Sequence, residues 1–252
     1  MPRILDSAAG QAIQFKQSFE SNNRTTRTSM AAETKEQILD AAEALIAEKG
    51  IDAVSLRAIT SAAKVNLAAV HYHFGSKDAL VHKVFERRIR PVNARRLELL
   101  DAAEKAGGAS VELEPVLRAF IQPAIRLYAQ DPKGPMFMRV CGRIYAEPSH
   151  HLQTSLDDFF AEIVARLGEA CARALPDLDE EELAWRMHFT VGTMIHTLME
   201  HDRLKRFTNG LCTMEDPEAL IDRMITFCAA GMRAPRARAE QAVEPALLET
   251  PL

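Results

Sequence analysis

Apolar residues recur every three to four positions from residue 34 to about 231, and no segment alternates long enough to make a strand. The pattern predicts an all-α chain. Thr34 followed by Gln37 reads as a capping box, after which Ile38, Ala42, Leu45 and Ile46 form one stripe that stops at Gly50. Ser55 is placed to cap a second, short helix whose Leu56, Ile59 and Ala63 share a face, and Asn66 to cap a third that runs to about Phe74. Ser76 caps a long fourth helix, with Asp78 in its first turn, where a carboxylate complements the helix dipole. Pro91 falls inside this fourth pattern and is expected to kink or split it. Further helices are predicted over about 110–130, 135–146, 149–175, 179–206 and 216–231, separated by glycine and proline breaks such as Gly107-Gly108, Asp131 to Gly134, Pro148, Pro176 and Asp216-Pro217.

The ends lack this period. Residues 1–33 are rich in Ser, Thr, Asn and Gln, and are expected to be a disordered arm, with Met30 an alternative start and Arg24 and Arg27 its alternative phosphate contacts. Residues 233–252, with Pro235, Pro245 and Pro251, read as a disordered tail. Between them, 34–80 and 81–232 are expected to be separate domains.

Two eight-residue helices joined by a three-residue turn are too short to persist alone and need a third element to pack on. That is the layout of a helix-turn-helix, whose second short helix enters the major groove of DNA. Here that helix would be Leu67 to Phe74. Val70 and Phe74 can face the core, Ala68 and Ala69 are small enough to let the backbone approach base edges, and His71, Tyr72 and His73 bring polar tips.

Overall charge at first argues the other way. The 252 residues carry a net charge of −4, whereas nucleic-acid binders usually have a basic excess. The distribution reverses the inference. Residues 34–96 hold 11 basic and 7 acidic side chains, and 97–252 hold 16 and 25. The basic excess lies with the helix-turn-helix pattern and the acidic excess elsewhere. With 47% apolar and 26% charged residues, the chain can build an ordinary core. It has no apolar run of 18 residues and no apolar leader, so neither a membrane span nor a secretory signal is expected. Cys141, Cys171, Cys212 and Cys228 are scattered and read as free thiols of a cytoplasmic protein. No cysteine and histidine cluster, glycine-rich phosphate loop or catalytic constellation stands out, so no metal, cofactor or enzyme activity is expected.

The run from Thr34 to about Phe85 resembles the DNA-binding domain of the TetR family of bacterial repressors. The resemblance rests on Ile38-Leu39-Asp40-Ala41-Ala42, Lys49-Gly50, Ser55-Leu56-Arg57-Ala58-Ile59, Ala63-Lys64-Val65-Asn66 and the block Tyr72-His73-Phe74-Gly75-Ser76-Lys77-Asp78-Ala79-Leu80. It implies phosphate contacts from Ser55 and Lys77, backbone contacts from Tyr72 and His73, and base proximity for Asn66, Leu67, Ala68, Ala69 and His71, with Arg57 a further contact. Lys64 stands where the family often has glycine. A left-handed backbone there would cost a lysine about 1–2 kcal/mol, and its ammonium could add a phosphate contact.

The family resemblance also implies a C-terminal helical domain for ligand binding and dimerisation. Phe137-Met138-Arg139, Leu183 to Phe189 and Phe227 to Arg233 resemble regulators in this family that respond to long-chain fatty acids or acyl-CoA. Phe137, Arg139, Arg143, Trp185, His188, Phe189 and His196 are the candidate ligand residues, an apolar wall with basic and imidazole groups that would suit an acyl chain with a polar head. An alternative for the helix from Leu183 is a dimer seam, with Gly192 permitting close approach. The expected protein is a homodimeric repressor that binds a palindromic double-stranded operator and releases it on binding a small apolar ligand, with the helix from Ser76 as lever. A sensor of aromatic or drug-like compounds controlling efflux, and a helical lipid carrier without DNA binding, are the alternatives.

Overall fold

The computed structural model describes residues 30–108, 110–146 and 150–236. The arm with Arg24 and Arg27, the break at Pro148 and the tail from residue 237, including Pro245 and Pro251, lie outside the described residues. Helix α1 covers residues 30–49. It is followed by α2 (Leu56–Ala63), α3 (Leu67–Phe74), α4 (Lys77–Gly107), α5 (Leu113–Gln130), α6 (Gly134–Ala146), α7 (His150–Ala174), α8 (Glu180–Phe207) and α9 (Pro217–Arg233). No strand occurs among the described residues.

The caps explain most of the boundaries. Ser55 Oγ accepts from the Ala58 amide at 3.2 Å, Asn66 Oδ1 from Ala69 at 2.8 Å and Ser76 Oγ from Ala79 at 3.1 Å. Asp179 and Asp216 do the same for α8 and α9. Such caps satisfy amides that a helix start leaves unpaired. Two expectations are corrected. Thr34 is not an N-cap: α1 is already helical at residue 30, and the Thr34 hydroxyl donates back to the Met30 carbonyl at 2.8 Å. Met30, Ala31, Ala32 and Glu33 are good helix formers, so the helix runs upstream through the threonine. Nor does Pro91 split α4. Ile89 and Val92 are both buried beside it, and their packing offsets the single backbone hydrogen bond that the proline removes.

The chain folds as two compact units. The first combines residues 30–94 with 127–162. Its core takes Ile38, Ile46 and Ile59 from the first two helices, Val70 and Phe74 from α3, Leu80 and Val84 from α4, and Phe137, Val140 and Ile144 from α6. Phe85 lies at its centre, 5.5 Å from the Phe137 ring and 5.8 Å from that of Phe159. Gly134 lets α6 start directly against α5, because a Cβ there would collide with the Leu127 carbonyl and the Tyr128 backbone.

The second unit combines 95–126 with 163–236. Ion pairs tie its helices together, Arg166 to Asp101 and Glu104, Arg118 to Asp222, and Arg126 to Glu218. Two arginines are buried. Arg96 lies over the Phe120 ring, 4.3 Å from its centroid, and donates to the Phe120 carbonyl at 2.9 Å; burial pushes its pKa down to about 10. Arg186 pairs with Glu182 and donates to the carbonyls of Met232 and Ala234, both at 2.7 Å. It thereby closes the end of α9, whose last carbonyls have no helical partner. No described helix is long and apolar enough to cross a membrane.

Candidate nucleic-acid interface and ligand-domain surfaces

Helices α1 to α3 and the start of α4 build the helix-turn-helix within the first unit. Val70 and Phe74 anchor α3 in the core, which turns the rest of the helix outward. Leu67, Ala68, His71 and Tyr72 are exposed, Tyr72 by 82%. A large aromatic this open has no core role. Ala69 and His73 are half-buried, and Ala69 leans on the core. Ser55, Arg57, Lys64 and Asn66 are exposed and Lys77 half-buried.

Each of the small polar groups keeps capacity to donate. Ser55 uses an oxygen lone pair for its cap, leaving the hydroxyl proton. Asn66 uses its carbonyl oxygen, leaving the amide NH₂. Lys64 ends α2 at φ 56° and ψ 39°, the left-handed conformation, with its N–H turned to Ser61 and Thr60 carbonyls. The turn therefore has the backbone that a glycine would favour, and carries an exposed cation.

The helix-turn-helix is held by a charged network that is not apparent from periodicity alone. Glu43 of α1 has a fully buried side chain and accepts from Arg87 and Arg88 of α4, the latter through Nε at 2.9 Å. Arg88 also reaches Asp131 at 2.9 Å, and Lys133 reaches Asp40 at 2.7 Å. Burial disfavours ionised Asp40, but the hydrogen bonds from Lys133 and Arg87 outweigh that and hold its carboxyl below the ordinary range. The available signal was Glu43 itself, an acidic residue between Leu39 and Ile46 on the apolar face of α1. Asp40, Arg87, Arg88, Asp131 and Lys133 line an open recess of about 400 Å³ with Glu36 and Pro132. Its cations are matched by carboxylates, so it has neither the apolar wall nor the spare charge an acyl ligand would use.

The seven candidate ligand residues are divided between the units, Phe137, Arg139 and Arg143 in the first and Trp185, His188, Phe189 and His196 in the second. Phe137 is 2% exposed and belongs to the core of the first unit. Arg139 and Arg143 are exposed on α6, and Arg143 donates to the Glu48 carbonyl at 3.2 Å. Trp185, His188, Phe189 and His196 lie on the open face of α8, Trp185 53% and Phe189 60% exposed. The Trp185 and Phe189 rings contact each other with centroids 5.8 Å apart. Gly192 and Met199 continue that face, and Phe227 of α9 is 69% exposed. Arg186 and Phe227 fall in segments that the resemblance singles out, but nothing in the sequence marks either one individually.

Two family profiles match the chain. "Bacterial regulatory proteins, tetR family" covers residues 38–84, and "Tetracyclin repressor-like, C-terminal domain" covers 118–231. The nicotine-responsive transcriptional repressor HdnoR of Paenarthrobacter nicotinovorans is 47% identical over 47 residues, 19% of this chain and 24% of that protein. The aligned stretch thus spans about a quarter of that relative's length. Among solved structures, the fatty acid degradation regulator FadR of Bacillus halodurans superposes with a TM-score of 0.58 at 16% identity, covering 80% of this chain and 97% of that one. FadR of Bacillus subtilis in complex with stearoyl-CoA gives 0.56 at 16%, covering 78% and 98%. A TetR-family regulator of Bordetella parapertussis gives 0.57 at 17%, covering 81% and 98%. At these identities the likeness is one of fold.

Proposed function

Because the chain belongs to the tetR family of bacterial regulatory proteins, and so is a ligand-responsive transcriptional repressor with a helix-turn-helix head, we propose that it works as a homodimer on a palindromic operator and leaves it on binding a long-chain fatty acid or acyl-CoA. The observation that carries the DNA half of this reading is the outward face of α3, flanked by groups with donors to spare. In a dimer, two such heads occupy successive major grooves, about 34–36 Å apart for one helical turn. The phosphate contacts are Ser55, Arg57, Lys64, Tyr72, His73 and Lys77; Asn66, Leu67, Ala68, Ala69 and His71 lie toward the bases.

The aromatic face of α8 supports the dimer rather than a pocket. Trp185, Phe189, Gly192, His196 and Met199 fall within one stripe at 100° per residue, and all are exposed in the single chain, Trp185 and Phe189 by more than half. Exposed apolar surface of this extent marks a protein contact. We therefore assign Trp185, Phe189 and Phe227 to the seam between two copies. The acyl ligand rests on the residue resemblance at Phe137 to Arg139, Leu183 to Phe189 and Phe227 to Arg233, and on the shared fold with FadR. Release requires that ligand bind the dimer state with mis-spaced heads more tightly than the DNA-bound state.

The test is a gel shift on the promoter of the protein's own gene, with palmitoyl-CoA or palmitate added, alongside native mass spectrometry of the purified protein. A shift that palmitoyl-CoA or palmitate abolishes, with a matching adduct mass, is expected. A folded dimer that gives no shift at about 100 mM salt would refute the DNA reading and favour a lipid carrier. A shift released only by aromatic drugs would replace the acyl ligand.

A further inference from the structure

The outward surface of α3 is chemically narrow. Its exposed side chains are Leu67, Ala68, His71 and Tyr72, with no arginine, lysine or glutamine among the eight residues of the helix. The strongest direct readout of guanine is a bidentate arginine or lysine on O6 and N7, and α3 has none to offer. Leu67 and Ala68, in the first turn, present methyl groups. In a helix-turn-helix the N-terminal residues of this helix meet the base edges, and the one methyl group in the major groove is that of thymine.

His71 adds a fixed polarity. Its Nδ1 lies 3.1 Å from the Gly75 carbonyl oxygen. A carbonyl can only accept, so Nδ1 carries the proton, and in the neutral ring Nε2 is left with a lone pair. In that neutral form the free end of this imidazole is an acceptor. In the major groove an acceptor meets the exocyclic amines of adenine N6 and cytosine N4, and is repelled by the O6 and N7 of guanine. Gly75 has φ 77°, a conformation that favours glycine, and its amide bonds back to the His71 carbonyl at 3.0 Å, which fixes the backbone that carries the carbonyl facing the ring.

Resting on the reading of the chain as a DNA-binding regulator, we propose that α3 recognises its half-site through thymine methyl groups packed on Leu67 and Ala68 and one adenine or cytosine amine accepted by His71 Nε2, not through guanine edges. Within α3, specificity then comes from methyl contact and one hydrogen bond per head; the Asn66 amide, just ahead of the helix, is a separate donor. The nearby cations Arg57, Lys64 and Lys77 lie outside α3 and serve phosphates.

The test uses the full chain to select an operator from randomised duplexes. Each dT of the selected half-site is then replaced by dU, which removes only the C5 methyl, and each dG by 7-deaza-dG, which removes only the N7 acceptor. At least one dU replacement per half-site should weaken binding about threefold to fivefold, the worth of one buried methyl. That loss should shrink in Leu67→Ala, as a double-mutant cycle requires. His71→Ala should flatten base preference at one position and leave the others as they were. The proposal fails if every dU replacement is neutral while a 7-deaza-dG replacement costs tenfold, which would place Arg57 or Lys64 on guanine. If no sequence is enriched by a folded dimer, the regulator reading itself fails, and this one with it.

Discussion

Lys64 combines backbone strain with an exposed charge. It holds a left-handed conformation at the turn of the reading head and exposes its ammonium beside α3. Lys64→Gly should stabilise the protein by up to about 1 kcal/mol, the relief of strain less the extra freedom glycine gains when unfolded. If its ammonium holds a phosphate, the same change should weaken operator binding and lower the salt slope by about one per head. Urea denaturation and a salt titration of the operator complex check the two signs. The left-handed turn was foreshadowed by the family resemblance, in which glycine often stands where this chain has Lys64. The start of α1 was not, because Thr34 and Gln37 imitate a cap while Met30 to Glu33 are equally content in a helix. The partners of Glu43 were also hidden: Arg87 and Arg88 lie more than 40 residues away, and a charge pattern says nothing about contacts at that distance.

Among the elements, α8 and α9 show what a periodic stripe does and does not reveal. The stripe predicted the helices within a few residues, but gives only a face, not what covers it. Thus Phe137 on α6 read as a pocket wall and is core, whereas Trp185 and Phe189 on α8 read as pocket or seam and lie open. One side chain links these two helices chemically. Arg186 spends its guanidinium on Glu182 and on the carbonyls that end α9. Removing it leaves those carbonyls and a carboxylate without their donor, a loss of about 3 kcal/mol for Arg186→Ala. Arg186→Lys should recover only part of this, since an ammonium cannot span the same fork of acceptors. Denaturant midpoints rank the three proteins. A lysine variant as stable as the parent would show that charge alone suffices.

For the molecule as a whole, charge and apolar exposure are divided between regions. The basic excess sits with residues 34–96, and the open aromatic face belongs to α8 and α9. If that face joins two copies, Trp185→Glu combined with Phe227→Glu should yield a helical monomer in sedimentation. Operator affinity should fall by at least a hundredfold, because two heads no longer act as one ligand. The parent's melting temperature should rise with protein concentration and the variant's should not. A dimeric variant would place the seam elsewhere.

The core shared by residues 30–94 and 127–162 bears on how such a protein could be re-engineered. A reading head looks transplantable, a short cassette to be exchanged for another operator preference. Here a cut within α4, after Ala94, would strip Phe137, Val140 and Ile144 from beneath Phe85 and leave Glu43 facing a thinned network. A chimera that takes only the first ninety-odd residues would carry an exposed apolar floor into its new host. A workable graft would bring α6 and the start of α7 with it, or replace only the outward residues of α3 and leave the scaffold untouched.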